Sequence, residues 1–401
     1  MKIVITNVYC YENRGDAGIV LSMIENLKKE FPNSKIDILS LWPEIDKGKY
    51  GKDIEVYPSP ISICKSSNKY FRAIRNLMLL CLKFLKYQLG ITNDEERVIK
   101  DADIVISCGG GYMQCRGIKQ FLDGFIYHYV QLLCAKKLNK QYVIFAQTIG
   151  PFSNFFAQLL QNIFINAKLV LPREEISYQY TKKIFPEANT TQTADVAFLL
   201  SKEKYNGVNL DSQKIKVGIT VRSWVYPGCD DREKMEINYI NSITTFVEYL
   251  QKMGRYEVYF MPQCVGPDID NDLIITNEIY SLLKNRKDVI LLDKEVSPEQ
   301  LKFIYSKMDY FIGTRMHSNI FSLAENVPCV AISYDYKTDG IMKLVNLSNY
   351  VININDIDAD KLISKFESLQ NNSVEIRSNL EKKVKEIKRN AYNNFILLKD
   401  D

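Results

Sequence analysis

Histidine is scarce in this chain. Only His128 and His317 occur among 401 residues, so any imidazole chemistry is confined to two positions. The nine cysteines are odd in number and include no C-x-x-C pair, which argues against a disulfide framework or a zinc site. Cys10, Cys81 and Cys134 sit in apolar runs of the kind that bury thiols. No uninterrupted apolar stretch approaches the length of a membrane span. The opening MKIVITNV reads as a strand and not as a signal peptide, so a cytoplasmic location is expected. A strong charge of one sign is missing too. The net charge of +4 is small for the length, and a nucleic-acid partner, which would call for a concentrated basic face, is not expected. A G-x-G-x-x-G fingerprint, a P-loop, a serine-hydrolase elbow and a kinase set are all absent. Asp16, Asp195 and Asp335 are too scattered for a metal site. Neither a metal nor a cofactor is expected.

What the chain does have is alternation. Short β-branched runs at 2–8, 35–41, 103–107, 141–146 and 168–171 read as buried parallel strands, with helices between them. The polar stretch 201–214 is a linker candidate, and strands resume at 216–221, 257–261, 288–292, 309–313 and 328–334. Helices are expected at 236–253, 269–284, 297–306 and 338–345. The pattern predicts an α/β fold of two doubly wound domains, 1–205 and 206–375, with a helix at 376–401 that packs back on the first. Residues 43–67, with three prolines, read as an irregular loop.

The segment 68–90, NKYFRAIRNLMLLCLKFLKYQLG, is helical in pattern, strongly apolar, and carries five Lys or Arg but no acid. Such a helix either packs in a core with its lysine stems extended to water or lies on an anionic membrane surface. His128, flanked by two tyrosines in the helix at 118–138, reads as a packing residue. Arg173 reads as one half of a helix-surface ion pair.

The stretch 312–340 organises the rest. It runs strand, turn, helix, strand and turn, with Arg315 and His317 two residues apart where the first strand gives way to a helix. Arg222, Gln263, Tyr334 and Lys337 also follow strand ends. In a parallel sheet these ends share one edge, so the side chains can converge there on an anion. Arginine's planar fork suits carboxylate and phosphate, and a helix start adds amides and a positive dipole end. That dipole disfavours the imidazolium while a bound polyanion favours it, so His317 can serve as acid or base. In the first half, Asn13 and Asp16 either cap the helix that follows them or touch a ligand. Gly109, Gly110 and Gly111, after the third strand, let backbone amides come close to one.

Together the pieces NRGDAGI (13–19), ISCGGG (106–111), AQTIGPF (146–152), LPREEISYQY (171–180), TADVAFLL (193–200), GITVRS (218–223), MPQ (261–263) and GTRMHSNIFSLAENVPCVAISYDYK (313–337) resemble the polysaccharide pyruvyltransferase family. The resemblance implies two Rossmann-like domains facing across a cleft, similar to GT-B glycosyltransferases. It implies transfer of pyruvate from phosphoenolpyruvate onto two hydroxyls of a hexose as a ketal, in a cell-surface glycan and commonly on a lipid-linked oligosaccharide. The family's arginine and R-x-H positions fall on Arg222, Arg315 and His317, the expected catalytic set. Gln263, Tyr334 and Lys337 would join them on the donor side, and Asn13, Asp16 and Gly109–Gly111 would hold the acceptor. The rival is a nucleotide-sugar glycosyltransferase of the same architecture. Retaining members often carry two glutamates eight positions apart, whereas Glu325 here is followed at that spacing by Ser333.

Overall fold

Thirteen strands form among the described residues, every pair of them parallel, in two sheets. The computed structural model describes residues 1–89, 91–266 and 271–399; the expected helix positions 90, 269–270 and 400–401 lie outside them. Two compact units result. One comprises Met1–Tyr11, Ile19–Val196 and the chain from Arg389 onward, the other Glu12–Gly18 and Ala197–Lys388.

In the first unit the strands are β1 (Lys2–Val8), β2 (Lys35–Ser40), β3 (Glu55–Pro58), β4 (Ile104–Ser107), β5 (Gly110–Cys115), β6 (Gln141–Phe152) and β7 (Leu169–Pro172). Their order is β3-β2-β1-β4-β6-β5, with β7 on the other side of β6. Two stretches differ from the sequence expectation. The supposed loop 43–67 contains a short helix, Pro43–Asp46, and β3, whose four partly exposed residues are too few to show a period. The glycine run opens β5 and is not a plain turn. Gly110 has φ +152°, and the strand then pairs with the far half of β6 through two register shifts.

In the second unit β8 (Ile215–Thr220), β9 (Tyr256–Phe260), β10 (Val289–Leu291), β11 (Tyr310–Gly313), β12 (Cys329–Ser333) and β13 (Val351–Asn353) lie in the order β10-β9-β8-β11-β12-β13. The winding reverses between β8 and β11, which pair from Tyr310↔Val217 to Gly313↔Thr220. A crevice at the carboxyl ends of the strands opens at such a reversal. β13 and the helix Ala359–Asn371 fall in a stretch that the sequence pattern leaves unassigned. Three residues, the last an asparagine, carry no legible alternation.

The unit boundaries differ from 205/206 because 197–203 packs with the second unit. Lys302 Nζ donates to the carbonyls of Phe198 (3.2 Å) and Leu200 (2.6 Å), and Lys202 pairs with Glu325 at 2.5 Å. The helix Ser373–Ile396 is shared: Arg377 donates to the carbonyls of Asp309 and Asn326 in the second unit, and Asn394 to Ala194 in the first. Arg173 is not on the surface. It is 2% exposed, donates to Thr148 Oγ1 (2.9 Å) and pairs with Asp195 at 2.6 Å.

Burial pushes the Lys302 ammonium down from the ordinary 10.5 to about 7, with Glu325 offsetting part of the shift. Between those values the unfolded chain binds the proton more readily, so stability rises with pH across that window. We expect Lys302 to contribute a gain of roughly 2 kcal/mol between pH 7 and pH 9. Urea melts of the wild type and Lys302→Met at the two pH values measure it, and the variant should lose that part of the rise.

Candidate active site

The turn after β11 is fixed by hydroxyls. Thr314 Oγ1 shares a 2.8 Å hydrogen bond with the Tyr239 hydroxyl, and the Thr314 amide donates to the Thr220 carbonyl at the end of β8 (3.2 Å). Arg315 is the N-cap of the helix Met316–Leu323. Its carbonyl accepts from the amides of Ser318 (3.1 Å) and Asn319 (3.2 Å) and from Ser318 Oγ (2.6 Å). Ser318 Oγ in turn meets Thr220 Oγ1 at 2.7 Å. The backbone that carries Arg315 and His317 is thereby tied to the end of β8, where Arg222 emerges.

Arg315 is buried, and its guanidinium is engaged by a residue that sequence reasoning missed. Asp272 accepts from Nη2 at 2.7 Å and from Nε at 3.1 Å and 3.2 Å, and also from the amides of Gln263 (3.2 Å) and Cys264 (2.9 Å). Burial pushes the Asp272 carboxyl up, against the pull of Arg315 and of the Cys264 amide. Burial works against the Arg315 charge, yet Asp272 holds the guanidinium protonated more firmly than usual. The pair is neutral in sum. Arg315 is therefore not the uncompensated fork that the sequence suggested.

Arg222 is held differently. Its guanidinium carbon lies 5.3 Å from the Trp224 ring centre and 4.4 Å from that of Tyr334, and the two rings are 4.5 Å apart. Aromatic faces attract the cation and fix its plane. The charge of Arg222 reaches Asp272, and Tyr334 acts on Arg315, so these four groups share one electrostatic environment. Gln263 is enclosed. Its Oε1 accepts from the Tyr305 hydroxyl (2.7 Å), while its Nε2 has no hydrogen-bond partner among the described residues. Lys337, in the first turn of the helix Tyr336–Leu344, lies 3.5 Å from Asp335.

The N-terminal segment brings the largest change of expectation. Asn13 and Asp16 fall in the second unit, not on a separate acceptor domain. Asn13 forms an antiparallel bridge with Cys264, and Arg14, 4% exposed, donates to the carbonyls of Pro262 (2.7 Å) and Val296 (3.0 Å). Asn13 Oδ1 accepts from the Gly15 amide (3.2 Å) and its Nδ2 donates to Asp16 (2.8 Å), so both residues do serve the start of the helix Arg14–Glu30. Gly15 rests against His317: a Cβ there would lie 2.5 Å from Nδ1. Only a residue without a side chain allows this approach. Gly109, Gly110 and Gly111 belong to the first unit, with Gly109 closed in by Ala146 and Ile19. His128 packs as expected. It stacks on Tyr112 at 4.0 Å, and burial pushes its imidazole down to about 3, which keeps it neutral.

The match of the polysaccharide pyruvyl transferase family model extends from residue 13 to residue 336, from the Gly15 turn to the Tyr334 region. The chain belongs to that family. Among curated relatives, the amylovoran biosynthesis protein AmsJ of Erwinia amylovora is 25% identical, over 96% of each chain. Among solved structures, UDP-GlcNAc 2-epimerase of Neisseria meningitidis bound to UDP-GlcNAc matches with a TM-score of 0.60 at 12% identity, over 100% of both chains. A glycosyltransferase of Rickettsia africae matches with a TM-score of 0.52 at 14% identity, over 99% of this chain and 96% of that one. At such identities the likeness concerns the fold, which is the GT-B-like one that the motifs implied.

Within this pyruvyl transferase family member, the described residues contain no group of three His, Cys, Asp or Glu able to hold a metal ion. Asp272 carried no signal in the sequence, since it pairs with a residue 43 positions away. Trp224, two residues beyond Arg222, could have been suspected from the scarcity of tryptophan.

Removing the Asp272 charge should leave Arg315 as an uncompensated buried cation. Asp272→Asn is expected to cost about 3–5 kcal/mol of stability, read from chemical denaturation. Asp335→Asn, at a pair that water still reaches and whose 3.5 Å separation is long, should cost no more than about 1 kcal/mol.

Proposed function

We propose that this chain transfers pyruvate from phosphoenolpyruvate to two hydroxyls of a hexose, forming a ketal and releasing phosphate, during the synthesis of a polysaccharide. The acceptor is a glycan on a lipid-linked precursor, and the work is done at the cytoplasmic face of a membrane. The observation that carries this reading is the gathering of Arg222, Tyr334, Arg315 and Asp272 at the reversal between β8 and β11, with His317 two residues beyond Arg315.

The donor brings a carboxylate and a phosphate. Arg222, its plane fixed by two rings, binds one of these groups. Arg315, held by Asp272, presents a preorganised donor toward charge that develops as phosphate departs. Lys337 and the Gln263 amide complete the donor contacts. His317 gives a proton to the methylene carbon, which becomes the methyl group, as the first sugar hydroxyl bonds to the central carbon. The imidazole, now neutral, takes that hydroxyl's proton. The second hydroxyl then bonds to the same carbon, the carbon–oxygen bond to phosphate breaks, and the remaining proton leaves with phosphate. Asn13 and Asp16, close to His317 through Gly15, orient the acceptor hydroxyls.

The nucleotide-sugar reading receives less support. Glu325, the one glutamate of the expected pair, is engaged by Lys202 (2.5 Å) and Lys302 (3.6 Å).

Incubation with phosphoenolpyruvate and lipid-linked glycans should raise the glycan mass by one pyruvate ketal and release one phosphate per transfer. Release of nucleotide from a sugar donor, with phosphoenolpyruvate untouched, would refute the reading. His317→Ala should lower turnover by about 10²–10⁴-fold. Gly15→Ala should push the His317 ring aside and lower turnover by about 10²-fold, while circular dichroism stays that of the wild type.

A further inference from the structure

The helix Lys69–Gln88 is inside out. Its inner face sets polar groups beside Leu79, Leu80 and Tyr87: Asn76, fully buried, donates to the Leu122 carbonyl and to the Tyr127 hydroxyl at 2.8 Å each, and Lys83, 8% exposed, pairs with Glu96. Its outer face is apolar, with Tyr70 70%, Ile74 69%, Leu77 48%, Met78 56% and Leu85 59% exposed. Spacings of three and four residues put them on one stripe. The expectation of a core helix with extended lysine stems is therefore overturned, and Cys81, expected to be buried, is exposed on the same stripe. Below the stripe runs a groove of about 550 Å³, closed by Phe84, Ile118, Phe121 and Phe155 and lined by apolar side chains almost throughout. An apolar surface this continuous marks an interaction site.

Charge identifies the occupant. The helix carries no acid; Lys69 is exposed at its start, and the partly exposed Arg75 and Lys86 donate to Ser62 and Asn93. From a neighbouring helix, Lys137 Nζ sits 5.0 Å from the Phe84 ring centre, at the groove itself. A second copy of the chain, docked through the same patch by a two-fold axis, would set this basic rim against its own like. A bilayer with anionic headgroups offers hydrocarbon for the stripe and phosphates for the rim. Among the described residues no helix is long and apolar enough to cross a membrane, so this one would lie along the surface.

We propose that the helix Lys69–Gln88 docks on an anionic bilayer, its outer face and the adjoining groove taking up acyl chains and its basic rim meeting lipid phosphates. The proposal rests on the reading above only for its purpose, which is to bring the protein to a lipid-linked acceptor.

Co-sedimentation of the full chain with phosphatidylcholine vesicles, with and without phosphatidylglycerol, tests it in the absence of phosphoenolpyruvate and glycan. A failed transfer reaction and a failed docking are thus seen separately. The chain should pellet with the anionic vesicles, less so as salt rises. Lys69→Ala should weaken binding roughly fivefold. Ile74→Glu with Leu85→Glu, both at exposed positions, should reduce it to background at an unchanged melting temperature. No pelleting of the wild type, or equal pelleting with uncharged vesicles, would overturn the proposal. So would a dimer in sedimentation equilibrium that the double variant dissolves while vesicles are ignored.

Discussion

The Asp272 carboxylate sets the terms for everything at the end of β11. It is 1% exposed, and it holds the Arg315 guanidinium on one side and the amides of Gln263 and Cys264 on the other. The loop after β9 and the turn after β11 are thereby locked to one another, and the Glu12–Gly18 segment is locked to that loop through Arg14 and Asn13. An arginine buried without such a partner would cost several kcal/mol. With it, the guanidinium is rigid and its charge compensated. Arg222 is fixed by other means, stacked on Trp224 and Tyr334.

Much of this was legible in the sequence because parallel strands deliver their ends to a common edge. Given the alternation of strands and helices, Arg222, Arg315, His317 and Tyr334 had to emerge at that edge, and the reversal between β8 and β11 brings them together. The unread parts share a physical reason: each depends on a partner distant in sequence. Asp272 becomes informative only once Arg315 is beside it. Asn13 and Asp16 follow the first strand in sequence, yet Asn13 bridges to Cys264 and the Arg14 amide between them donates to the Gln263 carbonyl. β3 and β13 are too short to show a period, and β5 was concealed by its glycines.

The helix Lys69–Gln88 illustrates a different limit. Periodicity reveals that a helix has an apolar face, but carries no sign to say whether that face points inward. Here the sign is set by Asn76 and Lys83, whose partners Leu122, Tyr127 and Glu96 lie on three other segments. Satisfying those polar groups inside the unit turns the apolar stripe outward. The outward stripe is thus a consequence of buried hydrogen bonds and an ion pair, and an apolar replacement of Asn76 and Lys83 would remove the reason for it.

The position of Gly15 changes the division of labour that the motifs led one to expect between donor and acceptor. The sequence suggested that one domain binds the donor and the other selects the acceptor, with Asn13 and Asp16 on the acceptor side. In the structure they stand on either side of Arg14 and Gly15, and Gly15 touches His317. In the proposed reaction the groups that orient the hydroxyls and the group that transfers the proton are then brought side by side, and holding reacting groups in place is among the largest contributions to catalysis. One histidine is also enough for the proposed chemistry. Having protonated the methylene carbon, it is in the right state to accept the proton of the hydroxyl that bonds next, and the second hydroxyl's proton departs with phosphate. The proposed reaction therefore asks for no imidazole beyond His317, and His128 is kept neutral by burial against Tyr112.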